Sequence, residues 1–216
     1  MIAAGAPSAL GRAVVLALAV ALATGGCHSK RKRAATVPEE GLTGGVEVFS
    51  DDFQRDKVGD DWLSRSGKWD VKDGWLHCAG DRNEGLWLVK PLPERVRVEF
   101  DAKSLSEAGD IKFEIFATEQ RHQTGYIVIM GGWQNTVSII ARLNEHGEDR
   151  MEGDRHVEKG RVYHFAAVRT DGGLRWYVDG KFVLQYADEE PVRGAFFAFN
   201  DWATDLYFDN MKVFRL

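Results

Sequence analysis

Residues 94–103 read E-R-V-R-V-E-F-D-A-K, and this stretch decides the fold class of the chain. Apolar and charged residues alternate along it, so Val96, Val98, Phe100 and Ala102 point to one side and the intervening residues point to the other. A period of two predicts a β-strand with one buried face and one solvated face. Such strands are typical of antiparallel sheets.

Short segments of the same kind follow one another along the chain. In residues 110–117 the alternation predicts that Ile111, Phe113, Ile115 and Ala117 face the core. Further strands are predicted over residues 125–130, 136–143, 161–170, 174–178, 195–199 and 204–214, and Asp-Gly at 179–180 is a strong hairpin signal. No helical period follows residue 45. The sequence therefore predicts an all-β domain over 46–216, an antiparallel two-sheet sandwich of the jelly-roll type.

Composition excludes several classes of protein. The 216 residues are 44% hydrophobic and 11% aromatic, too apolar for a wholly disordered chain, and two cysteines cannot build a disulfide scaffold. Basic residues number 28 and acidic residues 33, a net charge of −5; residues 46–216 hold 23 and 31 of them, a net charge of −8. An acidic domain repels polyanions, so we expect no nucleic-acid partner.

The N-terminal segment has the features of a secretory signal. Arg12 precedes an uncharged apolar run at 13–23, and the small residues 24–26 lead to Cys27. This arrangement resembles the lipobox of bacterial lipoproteins, although Thr24 stands where that family usually has leucine. The resemblance implies cleavage before Cys27 and a lipid on its thiol. Because His28 rather than Asp follows, the sorting rule of the family implies the outer membrane.

The chain thus divides into a predicted signal peptide over 1–26, a lipidated Cys27 with a flexible linker over 27–45, and the sandwich domain. Two alternatives remain open. The first is an uncleaved membrane anchor, since residues 2–10 are also mostly apolar. The second is a cytoplasmic protein with a misassigned start, because the basic residues 30–33 disfavour translocation.

Four stretches in this order resemble the concanavalin A-like lectin/glucanase superfamily. They are Phe49–Phe53 (FSDDF) with Trp62, Gly67–Trp75 (GKWDVKDGW), Arg175–Lys181 (RWYVDGK) and Phe208–Val213 (FDNMKV). Laminin-G-like domains and 3-keto-disaccharide hydrolase domains are the most similar members. The resemblance implies a concanavalin A-like sandwich over nearly all of 46–216. It leaves the activity open, because the superfamily hosts lectins, glycosidases and adhesion modules.

Asp110 and Glu114 are the candidate catalytic residues, with Lys112 between them. The spacing resembles the E-x-D-x-E strand of laminarinase-type glycosidases, in which the two Glu act as nucleophile and acid/base. Asp has a shorter reach, however, and a lysine at the central position keeps neighbouring carboxylates ionised, which does not suit a proton donor. The sequence therefore favours a different interpretation, an exposed ladder of charges that pairs with the charged face of the 94–103 strand.

The candidate ligand-binding residues lie on two loops and the strands beside them. Residues 131–135 read G-G-W-Q-N, where Trp133 is predicted to be exposed for stacking on a sugar and Asn135 to bond its hydroxyls. Trp202 follows Asn200 on a similar loop and could share one platform with Trp133. The remaining candidates are Tyr126 and Arg142. The alternative is that both tryptophans fill the core at strand ends.

A structural calcium ion is the one metal for which the sequence offers ligands. Members of the superfamily often hold calcium where the first and last strands meet, and Asp52 and Asp209 are the corresponding carboxylates. The histidines show no zinc spacing, and the charge-dense residues 145–158 indicate a surface excursion. We expect a glycan-binding envelope lipoprotein that binds through a concave sheet face and aromatic loops. The alternatives are a hydrolase similar to the 3-keto-disaccharide hydrolases, using Asp110 and Glu114, and a laminin-G-like protein-interaction module.

Overall fold

The computed structural model describes residues 39–170 and 173–216, so the predicted signal peptide and the lipidation site at Cys27 lie outside the described residues. The strands are β1 (Val46–Asp51), β2 (Trp62–Ser64), β3 (Trp69–Lys72), β4 (Trp75–Ala79), β5 (Leu86–Leu88), β6 (Val96–Ser104), β7 (Ile111–Ala117), β8 (Tyr126–Gly131), β9 (Val137–Arg142), β10 (Met151–Gly153), β11 (Tyr163–Arg169), β12 (Leu174–Val178), β13 (Lys181–Tyr186), β14 (Phe196–Asn200) and β15 (Asp205–Arg215). A four-residue helical turn, α1 (Gly132–Asn135), follows β8. Within the described part of the chain, no helix has the length and apolar character needed to cross a membrane.

The strands form two antiparallel sheets. One has eight strands in the order β13-β12-β11-β6-β15-β4-β3, with β1 paired beside β4 on the long strand β15. The other has seven strands in the order β10-β9-β8-β7-β14-β5-β2. Neighbours in the sheets are mostly distant in sequence, as in jelly-roll folds. The prediction of an all-β, two-sheet sandwich is confirmed.

Aromatic rings from both sheets meet between them. Phe100 of β6 stacks on Phe165 of β11 at 5.0 Å between ring centroids, within the eight-stranded sheet. Across the gap it makes edge contacts with Phe113 of β7 at 5.2 Å and with Phe199 of β14 at 5.1 Å. Edge-to-face pairs at these distances add to the stability that the burial of apolar area provides. The prediction that Val96, Val98, Phe100 and Ala102 face the core is therefore confirmed.

One inward position on β7 was predicted incorrectly. Ile111, Phe113 and Ile115 belong to the core between the sheets, but Phe116 takes the next core position and Ala117 packs on the opposite face. Phe116 has φ +56°, and the pairing of β7 with β14 shifts register beside it. A bulge adds one residue to the strand and reverses the phase of the alternation beyond it.

The end of the predicted linker packs against the sandwich. Leu42 packs on the outer face of the eight-stranded sheet against Val168 and Tyr177. The Arg97 guanidinium Nη1 donates to the carbonyl oxygens of Gly41 at 2.9 Å and Gly44 at 3.0 Å. These contacts explain why Arg97, an outward residue of the 94–103 strand, is buried. The packed domain therefore includes residues 39–45 ahead of β1.

Candidate functional site

The central strands β7 and β8 of the seven-stranded sheet are buried on their outer face as well as their inner face. Every residue of β7 and β8 is buried, although Lys112 and Glu114 point away from the core. The covering segments are the loop between β7 and β8, which brings His122 over Glu114, and the loop after β9, which brings Glu145 to Lys112. Loops that close over a sheet face in this way create cavities beside it.

A cavity of about 620 Å³ lies among these loops, and we call it the aromatic cavity. Trp133 and Trp202 are the most exposed aromatic side chains of its lining, with exposed fractions of 38% and 51%. Its buried lining is mostly polar or charged and consists of Asp110, Lys112, Glu145, Thr204 and Ile129. The remaining lining residues are Asn83, Ala108, His122, Gln123, Gln134 and His146.

Trp133 and Trp202 lie on separate loops and line the same cavity, as the prediction of a shared platform requires. Trp133 lies in α1, where the Arg150 guanidinium carbon is 4.6 Å from the ring centroid and the His146 ring meets it edge-on at 5.5 Å. Trp202 lies between β14 and β15, with the Arg82 guanidinium carbon 5.9 Å from its ring. The alternative that both rings fill the core is wrong, because both are exposed.

The backbone that presents Trp133 is strained. Trp133 (φ 49°, ψ 59°) and Gln134 (φ 61°, ψ 43°) adopt the left-handed conformation, as does Asn135 with φ 61°. Each non-glycine residue in this region costs roughly 1–2 kcal/mol. The Asn135 side chain maintains the turn, since it donates to the Val157 carbonyl and accepts from the Val157 N–H, both at 2.8 Å. Asn135 thus positions the loop and does not line the cavity. Strain of this kind is concentrated at functional sites.

A buried lysine lies at the centre of the polar lining. The Lys112 ammonium donates to Asn83 Oδ1 at 3.0 Å and to Glu145 Oε2 at 3.1 Å, and it lies 3.9 Å from Asp110 Oδ2. One cation therefore faces two carboxylates in a buried environment. No sequence motif pointed to Glu145, which lies in the stretch predicted to be a surface excursion.

Glu114 lies beneath this cluster and is fully buried. His122 Nδ1 is 2.7 Å from Glu114 Oε1, the Gln123 N–H donates to Oε2 at 3.0 Å, and the Asn200 amide donates to Oε1. Among the described residues, His122 Nε2 and Asp110 Oδ2 are buried polar atoms without a hydrogen-bond partner. Glu114 and Asn200 therefore support the cavity from below and do not line it, whereas Asp110 belongs to its lining.

The environment of Asp110 favours its neutral form. Burial raises the pKa of its carboxyl to about 6, and the nearby charges of Asp201 and Glu145 act in the same direction. The Lys112 ammonium opposes this shift without cancelling it. Near pH 6 the group can therefore donate a proton or accept one.

The charge ladder favoured from the sequence does not form. β7 belongs to the seven-stranded sheet, whereas β6 pairs with β11 and β15 in the other sheet. The outward charges of β6 have partners of their own: Asp101 accepts from Asn210 and lies 2.8 Å from His164 Nδ1. The alternation pattern identified both outward faces correctly but could not show that loops cover one of them.

Tyr126 and Arg142 lie outside the lining of the aromatic cavity. The Tyr126 hydroxyl donates to Asp188 Oδ2 at 2.6 Å, and Arg142 Nε donates to the same oxygen at 3.0 Å. Asp188 follows β13, so these bonds fasten β8 and β9 to the segment that leads into β14. In this structure both side chains bond Asp188, and neither contributes to the lining of the aromatic cavity.

The predicted calcium ligands are on neighbouring parts of the fold. Asp52 follows β1 and is exposed, with its Oδ1 accepting from the Gln54 N–H at 3.2 Å. Asp209 in β15 is buried, and burial together with the charges of Asp101 and Asp52 raises the pKa of its carboxyl. Among residues 39–170 and 173–216, no group of three or more His, Cys, Asp or Glu has the arrangement of a metal site. Calcium binding stays a prediction.

No protein-family model matches the chain, and no curated protein matches it in sequence. Solved structures share its fold. The carbohydrate-binding module CBM66 from Bacillus subtilis superposes with a TM-score of 0.61 at 13% identity, covering 73% of this chain and 98% of its own. The laminarinase catalytic domain from Thermotoga maritima has a TM-score of 0.58 at 13% identity, and the match covers 81% of this chain and 99% of that domain. A Bacillus subtilis protein with a galectin-like fold has a TM-score of 0.56 at 12% identity, and the match covers 80% of this chain and 97% of that protein. The likeness supports the fold alone, a jelly-roll sandwich of two antiparallel sheets.

Proposed function

We propose that the aromatic cavity binds carbohydrate. One observation carries the proposal: Trp133 and Trp202 are exposed on separate loops of a single cavity whose buried lining is polar. An indole face stacks on the apolar face of a sugar ring, while a few fixed polar groups bond the hydroxyls. The cavity volume of about 620 Å³ lies within the range of small-molecule sites.

The polar lining offers bonding groups that a sugar could use. Asp110 Oδ2 forms no hydrogen bond among the described residues, although it lies 3.9 Å from the Lys112 ammonium. Gln134 adds an amide, and the Thr204 hydroxyl, which donates to Asp201, can still accept a hydrogen bond. Lys112 already bonds Asn83 and Glu145, so it holds these acceptors in place. A site that is ordered before the ligand arrives loses less entropy when it binds. The names of the solved neighbours, a carbohydrate-binding module and a laminarinase domain, support the same proposal.

A glycan array tests this function with the full-length chain and three variants. We expect Trp133→Ala and Trp202→Ala each to weaken glycan binding about fivefold or more, because stacking of a ring on an aromatic side chain is worth at least about 1 kcal/mol. Phe182→Ala is the matched control, since Phe182 is an exposed aromatic residue on β13 of the other sheet. Absence of glycan binding by the wild type would overturn the proposal and leave a protein-interaction module as the surviving alternative.

Hydrolysis is a second candidate, and the pair Asp110 and Glu145 favours it. Their oxygens lie 3.9 Å and 3.1 Å from the same Lys112 nitrogen, so they are at most 7.0 Å apart. Inverting glycosidases use two carboxyl groups about 6.5 to 9.5 Å apart, with a raised pKa on the acid, and the upper limit of 7.0 Å here reaches the short end of that range. Asp110 would give its proton to the leaving glycosidic oxygen, and Glu145 would take one from the attacking water. This pair replaces Asp110 and Glu114, because Glu114 is buried beneath His122.

Release of reducing ends from a bound glycan separates the two functions. If the chain is a hydrolase, Asp110→Asn and Glu145→Gln abolish product release while binding persists. If the wild type binds a glycan and releases no product, the candidate hydrolase function is excluded and carbohydrate binding stands.

We also propose that the chain is an outer-membrane lipoprotein anchored through Cys27. The support is the sequence alone: an apolar run at 13–23, small residues at 24–26 and then the cysteine. The proposal predicts that the mature protein begins at Cys27 and carries acyl chains there. Intact-mass spectrometry of the envelope fraction measures this, and Cys27→Ser should remove the lipid mass. An unmodified chain that still begins at Met1 would contradict it.

A further inference from the structure

A second cavity, of about 280 Å³, adjoins the aromatic cavity and shares Asn83 and His122 with it. Three arginines line it, and we call it the arginine cavity. Arg65 follows β2, Arg82 follows β4 and Arg121 lies between β7 and β8. Three separate segments of the chain thus bring exposed arginines to one small cavity, although residues 46–216 carry a net charge of −8.

Two of these arginines have no acidic partner. Within the described part of the chain, neither Arg65 nor Arg82 forms an ion pair, whereas Arg121 pairs with Glu119 at 3.2 Å. Glu84 is the one carboxylate in the lining of the arginine cavity. An acidic protein has many carboxylates available to neutralise surface cations, so a concave site that keeps two of them unpaired favours an anion.

Arg82 connects the two cavities. Its guanidinium carbon lies 5.9 Å from the ring of Trp202, and its side chain also lines the arginine cavity. A sugar ring stacked on Trp202 would therefore place its substituents within reach of this guanidinium. His122 lines both cavities, and its buried Nε2 forms no hydrogen bond among the described residues but lies 3.9 Å from Glu145 Oε2.

We infer that the arginine cavity is a subsite for an anionic substituent of the bound glycan, a sulfate ester or a carboxylate. The inference rests on the proposed carbohydrate binding, and it deepens that function by naming acidic glycans as the ligand class. Guanidinium groups bind sulfate and carboxylate oxygens through paired hydrogen bonds, which gives both affinity and orientation. The neutral ring stacks in the aromatic cavity, and the charged group occupies the adjoining one.

Matched neutral and acidic polysaccharides test the inference with the full-length chain. The probes are dextran with dextran sulfate, laminarin with laminarin sulfate, and hydroxyethyl cellulose with carboxymethyl cellulose, each measured by affinity electrophoresis. We expect the acidic member of at least one pair to bind about tenfold more tightly at low ionic strength. That advantage should shrink at high ionic strength, because salt screens exposed charges.

Variants assign the effect to the arginine cavity. Arg65→Gln should remove most of the preference for the acidic polysaccharide and leave binding of its neutral partner unchanged. Arg82→Gln should also remove the preference, but it is not a control for neutral binding, because Arg82 contacts the ring of Trp202. Arg193→Gln is the control, because Arg193 is an exposed arginine that pairs with Glu94 away from both cavities. Trp202→Ala should weaken the binding of both members of a pair.

The outcomes separate this inference from the function on which it rests. If neutral and acidic members bind equally and Arg82→Gln changes neither, the anionic subsite is excluded while carbohydrate binding stands. An acidic preference that Arg193→Gln reduces as much as Arg82→Gln does would equally exclude it, as non-specific attraction. If no member of any pair binds, and the glycan array is also negative, the proposed function itself fails.

Discussion

Asp110→Asn should change how the stability of this protein depends on pH. Burial raises the pKa of the Asp110 carboxyl from 3.8 to about 6. The folded protein therefore holds this proton more tightly than the unfolded chain does. The stabilising contribution is fully present below about pH 4 and is lost as the pH rises through about 6. A rise of this size corresponds to roughly 3 kcal/mol, since each tenfold change in proton affinity is worth about 1.4 kcal/mol.

The asparagine variant cannot ionise, so it avoids this loss. We expect the free energy of unfolding of Asp110→Asn, relative to wild type, to increase by about 2.5 kcal/mol between about pH 4 and pH 7. Urea denaturation followed by tryptophan fluorescence measures it at each pH. Comparing the variant with wild type across pH removes any constant packing effect of the substitution.

Asp101→Asn is a control of opposite sign. Burial acts to raise the pKa of Asp101, but hydrogen bonds with His164 and Asn210 outweigh it and hold that pKa below its usual value. Ionised Asp101 thus stabilises the fold above the pKa of an unfolded aspartate, and this variant should lose stability relative to wild type as the pH rises. If the curves of wild type and Asp110→Asn run parallel from pH 4 to 7, the burial argument for Asp110 is wrong.

Two further predictions concern the charge cluster and the core. Lys112→Met should lower the free energy of unfolding by about 3–5 kcal/mol at neutral pH, because it leaves the Glu145 carboxylate buried without its cation. Adding Glu145→Gln to this variant should recover part of the lost stability. Denaturation curves that show no recovery would contradict the pairing of Lys112 with Glu145. Phe100→Ala should cost about 3–5 kcal/mol, since Phe100 is fully buried between the sheets, whereas Phe182→Ala on the exposed face should cost about 0.5 kcal/mol or less in the same assay.

The sequence predicted the strands because a period of two has one simple physical cause. Residues 94–103 and 110–117 alternate, and they form β6 (Val96–Ser104) and β7 (Ile111–Ala117), each within two residues of the predicted bounds. Successive side chains of a strand point to opposite faces, so a half-buried strand can be recognised from a short stretch of sequence. The error at Ala117 arose because the bulge at Phe116 has a positive φ without a glycine to signal it.

The candidate site could be predicted only in part. The motif G-G-W-Q-N and the loop of Trp202 indicated exposed aromatic residues, and the structure brings both tryptophans to one cavity. His122 and Glu145 carried no such signal. Their positions depend on how the loops after β7 and β9 fold over the sheet, and nothing in the local sequence reports which outward face a distant loop will cover.

The lysine between Asp110 and Glu114 gives the cavity a charge balance that an all-acidic strand would lack. One ammonium faces two carboxylates, so a single negative charge is balanced and a second is in excess. Asp110 carries the negative charge that Lys112 does not balance. Because burial raises its pKa to about 6, Asp110 can take up a proton, while Lys112 donates its hydrogen bond to Glu145. Protonated Asp110 donates a hydrogen bond to a ligand, and ionised Asp110 accepts one. If the cavity binds a sugar as proposed, its preference should change from acceptor groups to donor groups on the sugar as the pH rises through about 6.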